Sequence, residues 1–160
     1  MRGGKKDSKR DDAIAMQLEH RYLPPNFEIN HDDLVFEKKI SEGGCGIVYK
    51  GRWKHTLVAI KEIKKEIIHQ DKLDEFINEC SIMEAVRHPN IVMFLGASTK
   101  PPKLCIVLEY CPRGSLWNLL HDFQFKLSWE VRRRIALDIA KGVYYLHSFP
   151  VPVLHRDLKR

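Results

Sequence analysis

Three groups of residues have types and spacings that suit chemistry on a nucleotide phosphate. The first is the glycine-rich turn Gly43-Gly44-Cys45-Gly46. Backbone amides reach phosphate oxygens only where no side chain intervenes, so a strand, a glycine-crowded turn and a second strand suit such a ligand. A plain tight hairpin accounts for the turn as well. The second is Lys61, which ends the apolar run Val58-Ala59-Ile60. A lysine there ordinarily snorkels to solvent, yet it also offers a fixed cation at a strand end. The third is the run His155-Arg156-Asp157-Leu158-Lys159-Arg160, in which an aspartate stands beside three basic side chains and can serve as a proton acceptor.

Composition narrows the classes open to the chain. With 160 residues, 44% hydrophobic and 30% charged, it has the make-up of a globular domain that buries a sizeable core. No apolar run of about 18 residues appears, so no membrane span is expected. Charge without a following apolar stretch at the N-terminus argues against a secretory signal. Cys45, Cys80, Cys105 and Cys111 lack paired Cys-x-x-Cys spacing, which points to free thiols in a reducing cytoplasm and to no metal site. The net charge of +6 draws on Arg2, Lys5, Lys6, Lys9 and Arg10 and on Arg132-Arg133-Arg134. Neither run carries interleaved aromatics or a reader motif, so they read as a solvated head and a solvated helix face, and no nucleic-acid partner is expected.

The elements that must position these residues follow from pattern. Residues 1–22 are polar and charge-rich, and a basic, poorly ordered lead-in is expected through residue 26. Leu34 to Ile40, Ile47 to Trp53 and Thr56 to Ile63 read as strands with short links, hence antiparallel hairpins. A helix capped by Asp71 carries Leu73, Phe76, Ile77, Cys80, Met83 and Val86 at helical spacing and ends by Pro89. Strands at Ile91–Leu95 and Leu104–Leu108 follow. Pro112 and Gly114 then break the pattern, Ser115 to His121 reads as a short helix, and a longer helix after Ser128 buries Ile135, Ile139, Val143 and Leu146. The fold class is α+β: a five-stranded antiparallel sheet with one helix, then the opening of a helical unit.

Taken in this order, the motifs resemble those of protein kinases over roughly residues 27 to 160. Ile40-Ser41-Glu42-Gly43-Gly44-Cys45-Gly46-Ile47-Val48 is similar to the family's G-x-G-x-x-G-x-V loop, with Ser41 in the first glycine position. Val58-Ala59-Ile60-Lys61 resembles the segment whose lysine holds the α- and β-phosphates of ATP and pairs with a helix glutamate. Glu75, Glu79 and Glu84 compete by charge, and the family's spacing to His88-Pro89-Asn90-Ile91-Val92 selects Glu79. By the same resemblance Leu108 is the gatekeeper, the main chain of Glu109 and Cys111 faces adenine, and Val48 and Ala59 enclose the ring. His155 to Lys159 resembles the catalytic loop, with Asp157 taking the substrate hydroxyl proton and Lys159 offsetting charge on the γ-phosphate. Lysine two residues after that aspartate resembles serine/threonine kinases. Phe27-Glu28-Ile29, the segment Val48 to Trp53 and Ala140-Lys141-Gly142-Val143-Tyr144-Tyr145-Leu146-His147 carry the flavour of the tyrosine-kinase-like group.

The resemblance implies a kinase domain over 34–160, with an N-terminal lobe over 34–109, a hinge over 109–114 and the start of a C-terminal lobe over 115–160. It implies ATP, Mg2+ and a protein substrate. The family's magnesium ligands, an asparagine five residues after Asp157 and an Asp-Phe-Gly segment, fall past Arg160. The 160 residues are therefore expected to be an incomplete kinase domain, inactive by themselves and with apolar surface showing on the last helix. The alternative is a non-catalytic module that binds nucleotide or a partner.

Overall fold

In a computed structural model the structure describes residues 23–44, 46–64, 70–122 and 126–158. Strands β1 (Leu34–Glu42), β2 (Gly46–Trp53), β3 (Thr56–Ile63), β4 (Phe94–Ser98) and β5 (Cys105–Glu109) form one sheet in the order β1-β2-β3-β5-β4. All of its pairings are antiparallel. Helix α1 (Gln70–Ala85) lies between β3 and β4 in the chain, and helices α2 (Leu116–His121) and α3 (Trp129–His147) follow the sheet. The chain forms two compact units, one running to Arg87 with Val92–Tyr110, the other comprising His88–Ile91 and the residues from Cys111.

The first unit has a core on each face of its sheet, because side chains alternate along a strand. Val58 and Ile60 on β3 share one face with Cys105 and Val107 on β5, and they pack with Ile29 and Leu34. Ile106, on the other face, packs with Phe76 and Cys80 of α1, and Leu23, Phe94, Ala97 and Leu104 complete that cluster. The β2–β3 link is a two-residue turn, Lys54-His55, with φ of 46° and 66°. Positive φ at both positions matches the right-handed twist of the flanking strands.

The segment ahead of the sheet is held along β4. Ile29 N–H donates to Ala97 O at 2.8 Å, and the Glu28 carboxylate accepts from Thr99 N–H at 3.1 Å and from Thr99 Oγ1 at 2.7 Å. Phe27 lies between Phe94, 5.9 Å away ring to ring, and the Arg87 guanidinium at 5.4 Å. Leu23, within the expected lead-in, is buried, and Pro25–Phe27 form a 3-10 turn in which Pro25 and Asn26 are exposed. Residues 1–22 lie outside the described residues.

The second unit is built around the C-terminal half of α3. Ser128 caps the helix by accepting the Val131 N–H at 3.3 Å. Tyr145 stacks on His88 at 5.0 Å and meets the edge of Phe149 at 5.2 Å. Leu146 and Phe149 are buried, Ile135 and Val143 half-buried and Ile139 exposed. The expected stripe is thus buried only toward its C-terminal end, where His88, Asn90 and Phe149 supply neighbours. Trp129, Leu137 and Tyr144 are 83%, 54% and 77% exposed.

Two boundaries differ from the sequence expectation. Asp71 lies inside α1, which begins at Gln70, so it is not the cap. The strand expected from Ile91 starts at Phe94. His88–Ile91 instead form a turn, in which Asn90 N–H donates to His88 Nδ1 at 3.1 Å and Ile91 N–H to His88 O at 3.0 Å.

Candidate active site

Strand register gathers four of the candidate residues onto one sheet face. In β2 and β3, Val48 pairs with Lys61 and Lys50 with Ala59. In β3 and β5, Lys61 pairs with Ile106 and Ala59 with Leu108. Directly paired residues point to the same side of a sheet, as do residues two apart on a strand. Val48, Ala59, Lys61 and Leu108 therefore share a face, and α1 packs against that face through Phe76 and Cys80.

Glu79 stands between those packing residues in the chain. Its Oε1 lies 3.5 Å from Lys61 Nζ, with side chains 48% and 31% exposed. At that exposure the pair contributes less than about 1 kcal/mol to folding, so its value is positional. It fixes an ammonium over a surface that also carries small apolar side chains. No described ion pair joins Lys61 to Glu75 or Glu84, and Glu84 instead approaches Arg87 at 3.9 Å.

The β1–β2 turn closes with Gly43 N–H donating to Gly46 O at 2.9 Å. Ser41 pairs with Val48 and Glu42 with Ile47, which puts Ile40, Ser41 and Glu42 on the rising side of the loop. A side chain on Gly46 would stand 2.3 Å from Glu62 O, so strand pairing itself demands glycine there. At Gly43 and Gly44 a Cβ would meet no atom within 4 Å. The fold makes no demand for glycine at those two positions, whereas a ligand approaching the backbone would. Cys45 lies outside the described residues. Glu42 is bracketed by Lys39 and by Lys64, whose Nζ is 2.9 Å from Glu42 Oε1. Hydrogen bonds from Lys39 and then Lys64 hold the Glu42 carboxyl down to about 2.

At the end of β5, Glu109 N–H donates to Met93 O at 3.0 Å, while Met93 N–H donates to Glu109 Oε1 at 3.0 Å. Sequence reasoning assigned Glu109 a main-chain role only. Its carboxylate contact has no sequence signal, because it depends on the residue facing it across the sheet edge. In the second unit, Cys111 is exposed and its carbonyl accepts Gly114 N–H at 3.1 Å.

Asp157 is exposed in a three-residue turn where its N–H donates to His155 O at 2.8 Å and Arg156 has φ of 57°. An i to i+2 bond around a positive-φ residue is a rare, tight arrangement. His155 is exposed, and its ring Nδ1 lies 3.4 Å from Asp157 N. Lys159 lies outside the described residues.

Comparison with known proteins identifies the family. Residues 34–160 match the family described as protein tyrosine and serine/threonine kinase. The serine/threonine-protein kinase CTR1 of Arabidopsis thaliana is 44% identical over 129 residues, which are 79% of this chain and 16% of that protein. The probable serine/threonine-protein kinase drkB of Dictyostelium discoideum is 40% identical over 82% of this chain and 19% of its own length. The probable serine/threonine-protein kinase SIS8 of Arabidopsis thaliana is 45% identical over 82% of this chain and 13% of its own length. The chain thus spans less than a fifth of the length of each of these relatives. With an antiparallel sheet that sets Lys61 against Glu79 and a family match across residues 34–160, the chain belongs to the protein tyrosine and serine/threonine kinase family, on its serine/threonine, tyrosine-kinase-like side.

Proposed function

We propose that this chain supplies the nucleotide-holding part of a serine/threonine protein kinase, which moves the γ-phosphate of ATP onto hydroxyl groups of protein substrates. The observation that carries the reading is the Lys61–Glu79 pair at 3.5 Å, on the sheet face that also presents Val48, Ala59 and Leu108. Lys61 holds the α- and β-phosphates, the Gly43-Gly44 backbone covers them, and Val48 and Ala59 enclose adenine. Ile40 and Ile47 flank that cover, and the main chain of Glu109 and Cys111 meets the adenine edge. Asp157 takes the proton of the attacking hydroxyl, and Lys159 offsets charge on the moving phosphoryl group. When bound with the nucleotide, Mg2+ would supply neutralisation of the phosphate charge. Among the described residues no group of three or more His, Cys, Asp or Glu side chains is placed to hold that ion. Cys80 and Cys105 are buried free thiols, which suits a cytoplasmic protein.

The test is nucleotide binding by the chain itself. MgATP raises its melting temperature, and Lys61→Met reduces that rise, because binding to the folded state alone stabilises by mass action. Absence of a shift with any adenine nucleotide would sink the reading.

A further inference from the structure

Besides Lys61, the candidate sheet face carries a second lysine, Lys50, which reaches across it. Lys50 pairs with Ala59, so its side chain leaves the sheet on the face of Val48, Ala59 and Leu108. β3 separates β2 from β5, yet Lys50 Nζ stands 5.8 Å from the centroid of the Tyr110 ring. The lysine therefore spans β3, where its paired neighbour Ala59 offers only a methyl group as obstruction. Glu37 holds the same ammonium from the other side. Its Oε2 lies 3.6 Å from Lys50 Nζ and its Oε1 2.8 Å from Arg52 Nε. A bulge accounts for the aim of that carboxylate. Phe36 pairs with Gly51 and Lys38 with Lys50, which leaves Glu37 as the extra residue of β1, and a bulge re-aims a side chain that strict alternation would send elsewhere. Glu37, Lys50 and Tyr110 all belong to the first unit, so the bridge lies within one compact body.

We propose that Lys50 is a positioning residue for the nucleoside: held by Glu37, its ammonium pins the Tyr110 ring as an end wall of the space beside Val48, Ala59 and Leu108. The inference deepens the nucleotide reading above and rests on it. Row order on the face decides what the bridge bounds. Val48 and Lys61 form one row, and Lys50, Ala59 and Leu108 form the next, farther from the glycine turn. Tyr110 follows Glu109, whose partner Val58 lies outward again. Phosphates belong with Lys61, so a bridge from Lys50 to Tyr110 limits the nucleoside end. Attraction between a cation and an aromatic face fixes the tilt and distance of the ring. With its charge shared between a carboxylate and that ring, Lys50 does not serve as a second phosphate anchor.

The experiment measures dissociation constants of the chain for MgATP, adenosine and tripolyphosphate, in the wild type and in Lys50→Met, Lys50→Arg, Tyr110→Leu, Glu37→Ala and the Glu37→Ala, Lys50→Met pair. Amide exchange at Val58 and Ile60 serves as the folding control in each. Adenosine has no charge and tripolyphosphate no base, so the two probes separate a wall from an anchor. Lys50→Met and Tyr110→Leu are each expected to weaken adenosine about three- to fivefold, the scale of one cation–π contact. Tyr110→Leu leaves tripolyphosphate binding unchanged, and Lys50→Arg, which still offers the ring a cation, retains most of the adenosine affinity. Glu37→Ala costs about twofold, the scale of an exposed ion pair. That loss disappears in the Lys50→Met background, because Glu37 acts through Lys50. Adenosine affinity unchanged in both Lys50→Met and Tyr110→Leu overturns the proposal, as does a Lys50→Met chain that loses tripolyphosphate and keeps adenosine, or a wild type that binds MgATP but no adenosine. In each of those cases MgATP binding by the wild type leaves the nucleotide reading standing. A wild-type chain that binds no MgATP overturns that reading, and this inference with it.

Discussion

Replacing Gly46 with alanine would bring a methyl carbon to 2.3 Å from Glu62 O, and that oxygen belongs to the paired strand, not to a side chain that can swing away. The β2–β3 ladder would have to part locally, at a cost of about 1–3 kcal/mol, as for other overpacked sites. Gly44→Ala meets nothing within 4 Å and requires no left-handed backbone, so stability is expected to change by less than about 0.5 kcal/mol. The methyl group nevertheless occupies the surface that phosphate oxygens would approach. Urea unfolding of the two variants, set beside ATP affinity, therefore separates a glycine kept for the fold from one kept for the ligand. Gly46→Ala loses stability, and Gly44→Ala loses affinity with stability intact. A Gly44→Ala chain that binds ATP as tightly as the wild type would remove the phosphate role from that position.

At the scale of elements, strand identity and hairpin order follow from alternation and turn spacing, and so do the pairings that place Val48 beside Lys61. The start of β4 does not. Ile91-Val92-Met93 is as apolar as a buried strand, yet Val92 and Met93 are 47% and 46% exposed. What stops the strand is tertiary: the His88 turn takes Ile91, and the Glu109 carboxylate takes the Met93 N–H. Asp71 illustrates a smaller failure, since an acidic residue suits both a cap and a first turn. The packed segment ahead of β1 was legible only as the string Phe27-Glu28-Ile29, and its attachment to β4 depends on Thr99, which lies 71 positions from Glu28. That attachment is testable. Glu28→Ala leaves the partly buried Thr99 N–H and hydroxyl without their acceptor, at a cost of about 1–3 kcal/mol. Hydrogen exchange at Thr99 and Ile29 should accelerate accordingly, and Glu28→Gln should recover part of the protection because its amide oxygen still accepts. Unchanged exchange in Glu28→Ala would show that Phe27 and Leu23 alone hold the segment.

At the scale of the whole molecule, stability and the candidate site share one core, and two thiols in it make that link measurable through pH. Cys80 follows Glu79 on α1, Cys105 faces the opposite core, and both are fully buried. Burial, aided by Glu79 and Glu28, pushes the Cys80 thiol up to about 12. Burial likewise pushes Cys105 up to about 11, against a lowering hydrogen bond with the Ser98 backbone. In the unfolded chain both ionise near the ordinary 9.0. Below that pH the folded state keeps the full benefit. As pH rises toward 11 and 12 the unfolded chain sheds protons that the folded one retains, and stability falls by about 1.4 kcal/mol per pH unit for each thiol. Between pH 8 and pH 10 the wild type is therefore expected to lose about 3 kcal/mol more than a Cys80→Ala, Cys105→Ala chain, a large share of the usual 5–15 kcal/mol. Cys111, exposed and present in both chains, cancels in the comparison. Urea unfolding followed by circular dichroism across that range measures the difference in slope, which is insensitive to whatever the alanines cost at neutral pH. Parallel slopes would mean that the two thiols already reach solvent in the folded chain. In that case α1 would not be seated on the sheet, and Glu79 would not be held at Lys61.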